Sequence, residues 1–196
     1  MLSPTSFELS LTAACGHAQG SKLRYRSARE KNEQLSEAKS MICDACRAQL
    51  KVWMTADHGS ERFAMDFPEM RGTEKMVKWA NDLRKARFEK FGPLMLVLSK
   101  MLDSELAKTT WKALYLMFMI SEAKHWIDNR TFPFTDLNLF FEVSNLMKDP
   151  GRNKSVVMGS GPFSHFREKA PFVLQRIALF DTAILPTVDV MPTIYT

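Results

Sequence analysis

The sequence predicts an α+β protein that is mainly α, with a small N-terminal β-hairpin/helix module followed by a helical domain. Three observations predict it. Residues 7–12 and 22–26 alternate apolar and polar side chains on either side of Gly16 and Gly20, the period-two pattern of half-buried strands. Beyond residue 70, apolar residues recur at helical spacing in one segment after another. All three cysteines of the chain fall in two tight clusters, "CGH" at 15–17 and "CDAC" at 43–46, which marks the N-terminal part as a unit of its own.

The elements follow in order. In "FELSLT", Phe7, Leu9 and Leu11 share one side and run straight into Cys15; after a reversal at Gly16 and Gly20, Leu23 and Tyr25 alternate with Lys22, Arg24 and Arg26. This is a hairpin. Residues 27–40 are rich in Glu, Lys, Gln and Ala with little apolar content, which predicts an exposed helix or an extended charged arm. "CRAQLKVWM" opens a second helix. Residues 55–70 are linker-like, with Gly59 and Pro68 as breakers, so the expected units are residues 1–58 and 70–196.

In the second unit Thr73 caps a helix whose stripe is Met76, Trp79, Ala80, Leu83 and Ala86. Gly92-Pro93 is expected to break it. "LMLVLSKML" and "TTWKALYLMFMISEAKHWIDNR" each read as helices, the second apolar all round between Ala113 and Ile120 and therefore central. "TDLNLFFEVSNLMK" makes another, stopped by Asp149-Pro150-Gly151. Residues 148–164 read as a loop, "APFVLQRIALFDTAIL" as a last helix ending at Pro186, and the remainder as an extended tail.

Composition narrows the class. The hydrophobic fraction of 45% and charged fraction of 25% are those of a globular protein, and thirteen Met with fourteen Phe suit an adaptable core. No apolar run reaches the roughly 18 residues of a membrane span, and the N-terminal stretch lacks the pattern of a signal peptide. The expected location is the cytoplasm, where thiols stay reduced and clustered cysteines favour metal over disulfide. Residues 20–51 carry eight basic side chains against four acidic ones, most of the chain's net charge of +5. Such a face attracts phosphate backbones or acidic protein surfaces; Arg24, Arg26, Arg29 and Lys31 are the candidate contacts.

The pattern C-x-H, 25 residues, C-x-x-C supplies four N/S donors in two short-spaced pairs, the set a tetrahedral zinc ion takes. Cys15, His17, Cys43 and Cys46 are the expected ligands, with His58 the substitute should His17 point elsewhere. The site is expected to be structural. Nucleobase deaminases use a Glu in H-x-E and a Pro before C-x-x-C; here Gln19 and Ile42 stand at those positions. Four protein ligands also leave no place for an activated water. No H-E-x-x-H or G-x-x-x-x-G-K-[ST] is present, and "GSG" at 159–161 lacks the surroundings of a phosphate loop. His125 near Asp128 could be a general base but suits a core or capping role better, His165 is isolated, and no catalytic set assembles.

"CGH" followed by a basic stretch and "CDACR" resembles the N-terminal zinc module of a loose group of small bacterial proteins carried by plasmids, phages and integrative elements. "MRGTEKMVKWANDLRKA" looks like that group's L-x-G-[ST]-E-K-Q-x-x-W-A segment, and "SEAKHWIDNR" like its A-K-x-W-I-D-x-R segment. The likeness covers residues 7–130 in three patches. It departs at Met76, where Gln is common, and at His125, where an aromatic is common. The resemblance implies a zinc-stabilised fold with ligands Cys15, His17, Cys43 and Cys46 and a mobile-element setting, without naming a reaction. The expectation is a non-catalytic accessory protein that binds a host nucleic-acid-handling or defence complex, as an anti-CRISPR-like inhibitor does. The alternative is a regulatory protein that binds DNA or RNA directly.

Overall fold

A computed structural model describes residues 5–101, 103–148 and 161–179. Among them are two strands, β1 (Thr5–Thr12) and β2 (Ala18–Tyr25), then eight helices: α1 (Ala28–Ser40), α2 (Asp44–Thr55), α3 (Glu74–Ser99), α4 (Glu105–Phe118), α5 (Ala123–Asp128), α6 (Asp136–Met147), α7 (Pro162–Lys169) and α8 (Pro171–Leu179). The fold is α+β and mainly α. None of the described helices is long and apolar enough to cross a membrane.

β1 and β2 pair antiparallel from Thr5↔Tyr25 to Thr12↔Ala18. Alternation sends Leu11 and Leu23 inward, where both are buried. Phe7 belongs to the same face but lies at the open end of the hairpin and stays 47% exposed. The reversal is made by Gly16 alone, at φ +78°, a conformation an L side chain rarely adopts. Gly20, expected in the turn, instead lies within β2 opposite Ser10.

The charged segment resolves into a helix because its first turn is capped. The Ser27 hydroxyl accepts from the Glu30 amide at 3.2 Å while the Glu30 carboxylate accepts from the Arg26 amide at 2.7 Å. Gln34 then ties α1 to the hairpin: its side chain donates to the Arg24 carbonyl and accepts from the Arg24 amide at 2.8 and 3.1 Å. A primary amide has the donor and acceptor that a bare strand edge needs.

α2 buries Cys46, Leu50 and Trp53, positions i, i+4 and i+7 on one helical face, and packs on α6. The Ile42 amide, just before it, donates to the Ser144 hydroxyl of α6 at 3.1 Å. One apolar cluster therefore runs from Ala13, Ile42 and Leu50 through α3, α4 and α6 to Val173 and Ile177. The linker-like stretch takes part in it. Phe63, Met65 and Phe67 pack against the cluster, Phe63 sets its ring edge-on to Trp111 at 5.4 Å, and the Phe63 amide donates to the Gly92 carbonyl at 3.1 Å.

That crossing explains Gly92, where a Cβ would meet the Arg62 Cβ at 3.1 Å. It does not end the helix. α3 runs through Pro93 for 26 residues; the bond lost to a helical proline costs about 3 kcal/mol, offset by burial of Phe91, Leu94, Met95 and Leu98 around it. The inner line of α3 passes through Ala80, Arg84, Phe91 and Met95, while Trp79 and Ala86, expected on the stripe, are exposed. The next helix is also corrected. Ala113 to Ile120 are all buried as expected, but α4 stops at Phe118 and α5 begins at Ala123. The Arg71 backbone pairs across the gap, its amide donating to the Ser121 carbonyl at 2.7 Å and its carbonyl accepting from the Ala123 amide at 3.0 Å. α6 lies where expected. Pro162 starts α7 inside the stretch read as a loop; the stop at 149–151 and the extended tail lie outside the described residues.

A polar seam holds α7. Glu142 of α6 is 3% exposed, and its carboxylate accepts from the Phe163 amide at 2.7 Å, capping α7 from a neighbouring helix. Burial pushes the Glu142 carboxyl up from 4.5 to about 7, although the Phe163 amide favours the charged form. His125 and His165 meet edge-on at 4.9 Å; burial, then the neighbouring His165 and Arg87, hold His125 down to about 4.

The folded chain thus keeps a proton on Glu142 that the unfolded chain releases above pH 4.5, so this residue's contribution to stability falls as pH rises from 4.5 to about 7. Gln keeps the acceptor and cannot ionise. Thermal unfolding of Glu142→Gln should therefore gain on the parent protein steadily across that interval. A difference that does not change with pH would show that the carboxyl ionises in the fold as it does in water.

Candidate metal centre

The hairpin reversal and the start of α2 meet. Ala13 donates to the His17 carbonyl and Gly16 to the Ala13 carbonyl, both at 2.9 Å, a tight loop that turns Cys15 and His17 the same way. The Ala14 amide donates to the Met41 carbonyl at 2.8 Å, and the Asp44 amide to the Gln19 side chain at 3.1 Å. These two bonds fasten the loop to the segment entering α2. Cys43 is the N-cap of α2, its sulfur accepting from the Cys46 amide at 3.5 Å, and the spacing of three puts Cys46 on the same side one turn on.

One donor atom from each of Cys15, His17, Cys43 and Cys46 lies within 4.8 Å of the others. His17 Nδ1 stands 3.6 Å from the Cys43 sulfur and 3.3 Å from the Cys46 sulfur. A tetrahedral ion bonded at about 2.3 Å to sulfur and about 2.0 Å to nitrogen makes N···S edges of about 3.5 Å. The two N···S separations are close to that edge. Cys43 and Cys46 are buried, Cys15 half-buried and His17 exposed at the rim.

Electrostatics favour the same reading. Burial raises the cost of charging Cys15, yet amide bonds from Cys43 and His17 outweigh it and bring the thiol down to about 7. Cys46 is pushed up, first by burial and then by Cys43 and Cys15. Three sulfurs so close cannot all ionise together without a cation. The amides at the start of α2 supply some of the positive charge that would let them do so, and a divalent ion in the cluster would supply the rest.

All four ligands expected from the sequence come together. His58 does not join them: its Nε2 lies 2.7 Å from the Trp53 carbonyl, at the far end of α2. Gln19, at the position of a deaminase's Glu, is occupied as a backbone acceptor rather than aimed at a fourth coordination position. The supports that sequence reading missed are Gln19, Gln34 and Ser144, polar residues with no distinguishing spacing.

The basic residues divide into two kinds. Arg29 pairs with Glu33 at 2.8 Å, and the Lys31 ammonium stands over the rings of Phe7 and Tyr25 at 5.3 and 5.5 Å. The Arg24 and Arg26 side chains are exposed and make no ion pair among the described residues. The Asp128 carboxylate is bonded to Lys124 at 2.8 Å, and no hydrogen bond joins it to His125 among the described residues. No family model, curated protein or solved structure matches the chain.

Cys43→Ser removes a buried ligand and weakens the cap of α2. Hydrogen exchange should accelerate through β1, β2 and α1, whose burial is slight, while α4 and α6, packed in the helical core, keep their protection. Unchanged protection of the hairpin amides would mean that no ligation energy holds this part of the fold.

Proposed function

We propose that this is a non-catalytic binding protein in which a structural zinc ion fixes a basic hairpin-and-helix face, and that this face docks on a host nucleic-acid-handling or defence complex. The reading is that of an inhibitor carried by a mobile element, with the cytoplasm as its place of action. The observation that carries it is the pairing of a complete four-donor set with unpaired arginines on the same hairpin. Zinc suits three thiolates and an imidazole better than harder divalent ions, which prefer oxygen. Ligands that all come from the protein fill a tetrahedron and favour support over turnover.

What the metal supports is a surface. The reversal at the ligands and the open end of the hairpin are about 26 Å apart for an eight-residue strand. At the open end, Arg24 and Arg26 are exposed, alternating with Leu23 and Tyr25, which face the other way with Phe7. Exposed guanidinium groups recognise phosphates and carboxylates by paired N–H bonds. The likeness to plasmid- and phage-borne proteins supports reading such a surface as one of those that mobile elements carry to deal with their hosts.

A second reading, direct DNA or RNA binding, is favoured by the same residues taken with Lys31, since cations over aromatic rings form a platform for backbone and base. The two part on nuclease treatment. On the first reading, tagged protein retains a host protein after nuclease digestion, and the double variant R24E/R26E binds it about tenfold more weakly or worse. On the second, the partner vanishes with nuclease, and for duplex DNA the same variant flattens the log–log salt dependence by about 1.8, two phosphate contacts' worth. Capture unaffected by R24E/R26E would remove the hairpin face from either account.

A further inference from the structure

The two remaining stretches singled out in the sequence, 70–86 and 121–130, pack against each other as α3 on α5, joined by the Arg71 backbone bonds to Ser121 and Ala123. Where they meet, a pocket of about 280 Å³ opens between α3 and the segment after α5. Three cations line it, Arg87, Lys90 and Arg130, and no acidic side chain does. Trp126, Phe132 and Phe134 add aromatic edges to its lining.

None of the three cations has a carboxylate partner among the described residues. Arg87 donates to the Phe132 carbonyl at 3.1 Å and lies 5.9 Å from the Trp126 ring. Arg130 donates to the Ile127 carbonyl at 2.8 Å and lies over Trp79 at 5.5 Å. Lys90 stands over the Phe91 ring at 5.2 Å. Carbonyls and rings orient these groups without neutralising them, and the half-buried Arg87, flanked by the exposed Lys90 and Arg130, carries an uncompensated desolvation cost without a counter-ion. Burial accordingly makes the Arg87 charge harder to hold. An anion seated between them offsets that cost, and the aromatic lining calls for a flat ring on the same molecule. The volume suits one nucleotide, at the lower edge of the roughly 300–1,000 Å³ of small-molecule sites.

We propose that this pocket binds a nucleoside phosphate, its phosphate on Arg87, Lys90 and Arg130 and its base against Trp126, Phe132 and Phe134. The nucleotide can be free or one residue of a single strand; the chemistry is shared. The proposal stands apart from the metal and the hairpin face, so either can fail without the other.

The test is calorimetric titration of the full chain at low salt with adenosine triphosphate, adenosine, inorganic phosphate and a dodecathymidylate, repeated on K90E/R130E. Both changed residues are exposed, and the melting temperature of the variant verifies its fold. Either the triphosphate or the oligonucleotide should bind, with adenosine and phosphate about tenfold weaker or worse, and K90E/R130E should lose about tenfold in affinity. Preference for the triphosphate identifies the free nucleotide as ligand. Preference for the oligonucleotide, with a log–log salt dependence shallower by about 1.4 in the variant, identifies the strand. Equal binding of phosphate alone, no binding of either nucleotide ligand, or binding that K90E/R130E leaves intact and R24E/R26E abolishes would overturn the proposal.

Discussion

The closure of two donor pairs, one from a hairpin reversal and one from a helix start, is the constraint on which the N-terminal half depends. β1 and β2 bury little: of sixteen paired residues only Leu11 and Leu23 are buried. A lone two-stranded hairpin is marginal in water, and α1 contributes a single buried residue, Ser40. The amide bonds from Ala14 to Met41 and from Asp44 to Gln19 align the two pairs, and a bound ion would convert that alignment into stability. From there the order passes inward, since the segment that carries Cys43 also carries Ile42 to Ser144 and Leu50 into the helical core. The ligands are thus an anchor between a thin charged projection and a dense helical body.

Much of this was legible because the local code is strong. Three cysteines and a histidine at C-x-H and C-x-x-C spacing leave few alternatives, and period-two alternation located both strands. The charged segment, read as an exposed helix or an extended arm, is a helix capped through Ser27 and Glu30. Other features depended on tertiary contacts that no local pattern carries. Gly92-Pro93 reads as a breaker, yet burial on both sides keeps α3 continuous. The interruption between Phe118 and Ala123 has neither Gly nor Pro to announce it, because its cause is the Arg71 backbone fifty residues upstream. Trp79 looked like core by spacing and instead lies outside, beneath Arg130, where a stripe drawn one position off placed it inward. The pocket of Arg87, Lys90 and Arg130 was illegible for the same reason, its walls coming from two segments far apart in the chain.

The chemistry of the molecule is distributed accordingly. Its three cysteines gather with His17 at the candidate metal centre, His125 and His165 meet in a packed seam where burial favours their neutral forms, and cations without a carboxylate partner among the described residues stand on the hairpin and at the α3–α5 pocket. The hairpin carries the loop that holds Cys15 and His17, and none of the four donors lines the α3–α5 pocket.

The central claim is that Cys15, His17, Cys43 and Cys46 hold one zinc ion. The most direct measurement is X-ray absorption at the zinc edge, with elemental analysis, on protein purified without added metal. The account expects about one zinc per chain, bonded to three sulfurs at about 2.3 Å and one nitrogen at about 2.0 Å. A folded chain free of metal, with all three thiols reacting at once with a thiol reagent, would contradict it.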